Sequence, residues 1–177
     1  MRKALILLLA ACCLAIGAPA FADTFNWTYS GGSDSGSGTF TTTALSGGQA
    51  TILGITGTFD GSSITGLLAD NTCCSSPAND NILYFPTTPY LDINGIGFGF
   101  LAGTLDVNIY YCNNSTGCVL GTGYTVLTAP SGSAPNGYTM TSTNGRFTVV
   151  QTPEPATMTL LGSGLLALFI SRRKKLA

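Results

Sequence analysis

Phe25, Trp27 and Tyr29 alternate with Thr24, Asn26 and Thr28, the two-residue period of a strand with one buried face. Comparable runs follow at about 37–43, 48–59, 62–68, 82–85, 90–94, 96–101, 104–111, 124–129, 137–143 and 145–151, separated by Gly, Asn, Asp and Pro. Ile96, Phe98 and Phe100 alternate with Gly97 and Gly99, which predicts one apolar face and one bare face. Val107, Ile109 and Tyr111 alternate in the same way with Asp106 and Asn108. A weak Gly-x-Phe echo at Gly38-Thr39-Phe40, Gly57-Thr58-Phe59 and Gly145-Arg146-Phe147 reads as strand-start chemistry and not as a repeat array. Gly31 to Gly38, Thr87-Thr88-Pro89 and Ala129 to Gly137 are predicted loops, the first of them flexible. No stretch between residues 23 and 151 keeps the 3.6-residue apolar spacing of an amphipathic helix. The pattern predicts an all-β domain, an antiparallel two-sheet sandwich of jelly-roll-like type.

Both ends depart from this pattern. Arg2-Lys3, the apolar run Ala4 to Ile16 and Ala20-Phe21-Ala22 have the layout of a secretory signal peptide, with cleavage after Ala22 and Asp23 as the mature N-terminus. A rival reading takes Leu9-Ala10-Ala11-Cys12 as a lipobox that leaves Cys12 lipidated. At the other end Pro153-Glu154-Pro155 precedes 17 uncharged residues, Pro155 to Ser171, and then Arg172-Arg173-Lys174-Lys175. A helix of that length spans roughly 25 Å, slightly less than a ~30 Å hydrocarbon core, and flanking basic stems can cover the mismatch. The prolines place the helix start at about Ala156, so a single transmembrane helix is predicted over 156–171 with a basic stop-transfer tail at 172–175. The chain thus divides into a signal peptide (1–22), an exported β domain (23–151) and a C-terminal sorting segment (152–177).

Thr152-Pro153-Glu154-Pro155-Ala156-Thr157, the Gly/Leu-rich run around Gly162 and Gly164, and the closing Arg-Arg-Lys-Lys resemble the PEP-CTERM sorting signal of bacterial exported proteins. The same tail is also catalogued as an ice-binding-protein C-terminal motif. The resemblance covers about 25 of the 177 residues, in a fixed order of features. It implies recognition by an exosortase, a membrane-embedded cysteine transpeptidase that cuts near the Pro-Glu-Pro, at the inner membrane of exopolysaccharide-producing, biofilm-forming bacteria. Thr152 stands where Val is common in that family.

Charge narrows the function classes. Between residues 23 and 151 Arg146 stands alone against seven aspartates, a formal charge of −6. Nucleic-acid binding needs cations to displace phosphate counterions, so that class is excluded. The chain contains no His, and Glu154 is its only Glu, so no Ser/His or Ser/Lys nucleophile can be assembled in the domain and no enzyme is expected.

Cys73, Cys74, Cys112 and Cys118 are candidates for disulfides in an oxidising compartment. A bridge closing Cys112 to Cys118 is one pairing, with Cys73 and Cys74 pairing vicinally or one of them reaching that hairpin. Without His or a Cys-x-x-Cys spacing, zinc is disfavoured. Asp92-x-Asn94 and Asp106-x-Asn108 each place two oxygen ligands on one strand face and are weak calcium candidates, with Asp70-Asn71 and Asn79-Asp80-Asn81 adding a loop cluster.

The leading expectation is a non-enzymatic cell-surface or extracellular-matrix protein, associated with biofilm or exopolysaccharide and processed by an exosortase. The alternative is a carbohydrate- or calcium-binding module using tyrosines such as Tyr84, Tyr90, Tyr110, Tyr111 and Tyr124 as sugar platforms. A remote alternative is ice binding through the threonines at 39 and 41–43.

Overall fold

The structure is a computed structural model that describes residues 22–73, 78–113, 121–132, 138–153 and 163–164. Its strands are β1 (Asp23–Gly31), β2 (Asp34–Thr42), β3 (Gln49–Phe59), β4 (Ser62–Leu67), β5 (Ile82–Tyr84), β6 (Ile96–Phe100), β7 (Leu105–Cys112), β8 (Gly123–Pro130) and β9 (Thr139–Gln151). The sheet order is β2-β1-β9-β8-β7-β6-β4-β3-β5, and β2 also pairs with β3. That last ladder joins the sheet to itself. Eight strands close into an up-and-down antiparallel barrel, with β5 added outside the ring on the start of β3.

The expected two-sheet sandwich is therefore corrected to a closed barrel. A sandwich leaves edge strands; here β1 is paired on both sides, with β2 and with β9, and β2 with β1 and β3. Alternating apolar and polar residues describe one inward face equally well in either architecture.

An eight-stranded barrel is just wide enough for side chains to fill. Trp27, Phe40 and Phe147 form a triangle of stacked rings, with Trp27 5.6 Å from Phe40 and 6.0 Å from Phe147, and the two Phe rings 6.1 Å apart. Phe59 meets Phe98 and Phe100 edge-on at 5.5 and 5.4 Å. With Phe25, Tyr29, Ile52, Ile96, Val107, Ile109 and Val126 they form one buried core. Large aromatic surfaces removed from water dominate its stabilisation.

The predicted flexible loop Gly31–Gly38 is instead the β1–β2 turn and most of β2. Its serines and glycines gave no apolar signal, yet the glycines let the wall close. A Cβ at Gly36 would stand 2.9 Å from the Phe59 ring. The predicted strand 90–94 does not form; Asp92 turns the chain there by accepting from the backbone N–H groups of Asn94 and Gly95. The runs at 137–143 and 145–151 are one strand, β9, whose ladder with β8 shifts register.

Between β4 and β6 the described residues 68–73 and 78–95 leave the wall; Asn79 and Asn81 lie against its outer face, whereas Leu83 and Leu91 are buried in the main core. Asn79 occupies the bare face beside Gly97, where a Cβ would lie 2.8 Å from its amide. Asn81, 1% exposed, accepts from Gly97 N–H and donates to the Leu68 carbonyl and to Asp70. A second apolar cluster joins Cys73, Tyr110, Cys112, Leu127 and Ala129, with Leu68 and Ile93 against it.

Among the described residues no helix is long and apolar enough to cross a membrane. The predicted transmembrane helix at 156–171 is thus not among the described elements; only its Ser163 and Gly164 are described, and both are helical.

Candidate functional site at the barrel seam

Antiparallel pairing of the first and last strands puts the start of β1 and the end of β9 at one end of the barrel. The β1–β9 ladder runs from Ser30 opposite Arg146 to Phe25 opposite Gln151. One residue further, Thr152 donates its backbone N–H and its hydroxyl to the Thr24 carbonyl, each at 2.8 Å. Pro153 has no N–H to give, and β1 begins only at Asp23, so the ladder stops there for two independent reasons.

Asp23 ties the seam to its surroundings. Its carboxylate accepts from the Gln151 side-chain amide at 3.3 Å and from the Leu45 backbone N–H at 3.1 Å. Its carbonyl accepts from the Thr42 hydroxyl. The residue expected as the mature N-terminus and the residues entering the tail are thus neighbours. Of the sorting motif, Pro153 is described; Glu154, Pro155 and the basic residues Arg172, Arg173, Lys174 and Lys175 lie outside the described residues, as do Ala20, Cys12, Cys74 and Cys118. Ala22 is the first described residue of the chain.

Cys73 and Cys112 are both buried, both disulfide-bonded and both in the second apolar cluster.

Of the weak calcium candidates, Asp92, Asn94 and Asn108 are linked by hydrogen bonds, and Asp106 bonds elsewhere. Asp92 is occupied by Asn94 N–H, Gly95 N–H and the Tyr84 hydroxyl, while the Asn94 amide donates to Asp80 at 3.1 Å. Asn108 donates to the Asn94 carbonyl, and Asp106 accepts from Gly132 N–H on another part of the wall. No group of three acidic, Cys or His side chains suited to a metal occurs among the described residues. Burial raises the pKa of Asp80, and the neighbouring charges of Asp92 and Asp70 add to this, against hydrogen bonds from Asn94 and Ile82 N–H.

The tyrosines serve mainly as packing. Tyr110 and Tyr124 are buried, Tyr111 meets Tyr124 edge-on, and Tyr90 stacks on Phe85. The Tyr124 hydroxyl accepts from Tyr90 N–H at 2.7 Å, and burial pushes its pKa up to about 12.

What sequence reading missed is the outer wall of β9, β1, β2, β3 and β4. Register aligns Thr148, Thr28, Ser37, Thr58 and Ser63 in one row across five strands. The next row is Val150, Asn26, Thr39 and Thr56. Thr28 and Thr148 share a hydroxyl–hydroxyl hydrogen bond at 2.5 Å, and Thr39 and Thr56 one at 2.7 Å. Adjacent rungs lie ~4.8 Å apart, so the row is a continuous uncharged hydroxyl band. Only pairing register reveals it, because its members are scattered along the chain.

No curated protein and no solved structure matches this chain. Residues 151–174, which begin at the last rung of the seam, match the family model of the PEP-CTERM protein-sorting motif, and the chain therefore carries a signal that implies export and exosortase-dependent, membrane-associated sorting.

Proposed function

We propose that this protein is a non-enzymatic component of the cell surface or extracellular matrix, in the biofilm and exopolysaccharide setting that its tail implies, delivered there by exosortase processing. One observation carries the reading: a barrel filled by its own aromatics runs without a linker into a sorting motif. The wall offers hydroxyls and few charges, as suits a protein that works among hydrated polysaccharide. Mass spectrometry of the protein from its native host, with fractionation of cells and medium, tests it. The expected product begins at Asp23, ends near Pro155 and is found at the surface or outside the cell. An intact C-terminus at Ala177, or a product retained in the periplasm, overturns it.

A second reading is favoured by the hydroxyl rows: a carbohydrate-binding module that presents the wall of β9, β1, β2, β3 and β4 to polysaccharide. A glycan array of the barrel, with and without calcium, decides it, and absence of saturable binding removes it. Thermal hysteresis of the same sample tests the remote ice-binding alternative.

A further inference from the structure

The sorting motif overlaps the fold. Its matched residues begin at Gln151, which is the last residue of β9, and the next residue, Thr152, is tied to β1 by two hydrogen bonds on one carbonyl. We propose that Thr152 is a positioning residue for processing. The closed β1–β9 seam holds the start of the motif extended, in one direction from the barrel, and the processing enzyme engages it in that state.

The physical basis is preorganisation. Enzymes that cut peptide chains bind them extended, and ordering a free residue costs ~1–2 kcal/mol of backbone entropy. At the seam that ordering is already done for Gln151 and Thr152 by the barrel. An open barrel has no Thr24 carbonyl in place and loses the advantage, so the seam also favours folded cargo over unfolded. The leader bears on the same point: β1 begins at Asp23, directly after the expected cleavage site, so the expected mature N-terminus lies beside Gln151, where the motif starts.

The proposal rests on the reading that the tail is processed, and the experiment separates the two. In the native host, pulse-labelled protein is followed by mass spectrometry for loss of the tail, in four forms: wild type, Thr152→Ala, Thr152→Ser, and a Gly-Ser-Gly-Ser insertion between Gln151 and Thr152. The melting temperature of each purified barrel is measured in parallel. Thr152→Ala keeps the N–H, loses the hydroxyl bond and does not introduce the Val common in the family; tail loss slows about fivefold. Thr152→Ser restores the wild-type rate. The insertion moves the motif off the seam and slows tail loss about tenfold while the barrel melts as before. Equal or faster tail loss from the inserted form overturns the positioning role. Retention of the tail in wild type overturns the processing reading itself.

Discussion

Gly38 on β2 faces Gly57 on β3, and neither position has room for a side chain: a Cβ on Gly38 would run into the Thr56 carbonyl, and one on Gly57 into the Ser37 carbonyl. The two strands approach here more closely than a pair of ordinary residues allows. Gly57 also has φ +131, a region L side chains rarely adopt. This contact lets the wall curve enough for β2 to reach both β1 and β3.

Gly38→Ala is therefore expected to destabilise the barrel by about 3 kcal/mol or more, because the clash is with backbone and cannot be relieved by a rotamer change. Gly47→Ala is the control. It has φ +61 but open space, and costs only about 1–2 kcal/mol. Urea midpoints of the two variants measure the difference.

Asn81 makes four side-chain hydrogen bonds, three to Leu68, Asp70 and Asn79 of its own excursion and one to Gly97 of the wall. Asn81→Leu leaves several buried groups unpaired and is expected to cost roughly 3 kcal/mol or more. Asn81→Asp turns a donor toward Leu68 and Asp70 into an acceptor. Its deficit should shrink in acid, where the new carboxyl can donate, and a pH series of urea melts reads this out.

Asp80 predicts a stability slope on the acid side. Its folded pKa is raised, first by burial and then by Asp92 and Asp70, so the folded state holds the proton more tightly than the unfolded chain. The sign follows directly: the contribution is fully present below the unfolded value, ~3.9, and is lost as pH rises through the raised folded value. The melting temperature should fall over that interval, and Asp80→Asn should flatten the fall. An unchanged slope in the variant assigns the effect elsewhere.

Tyr124 predicts loss of stability in alkali. Its folded pKa of about 12 lies above the ordinary phenol value, chiefly through burial. Stability is complete below the unfolded pKa of ~10 and falls as pH rises toward 12, when the buried phenol would have to ionise. Phenolate absorbance should rise in a step together with unfolding, and Tyr124→Phe should move unfolding to higher pH.

Much of the strand content was legible because Phe25, Trp27, Tyr29, Ile96, Phe98 and Phe100 carry the inward face in plain alternation. The start of β2 was hidden because Ser35, Gly36, Ser37 and Gly38 contribute almost no apolar surface, while its later part fell in the expected run at 37–43; the importance of the first residues is room, which composition does not display. Closure was hidden too, since nothing local in β1 announces a pairing with β9. The tail was the most legible functional element, its chemistry being consecutive in the chain. The hydroxyl band was the least, because Thr28 and Thr148 are 120 residues apart and meet only by register.

Each ladder of the barrel wall except β1–β9 joins wall strands that follow one another along the chain. A chain that reaches the far side of a membrane N-terminus first can thus build the wall hairpin by hairpin as it emerges. The closing ladder must wait for β9, the final strand before the sorting motif. Strand order then works as a timer: the barrel shuts at the moment its export label comes into view.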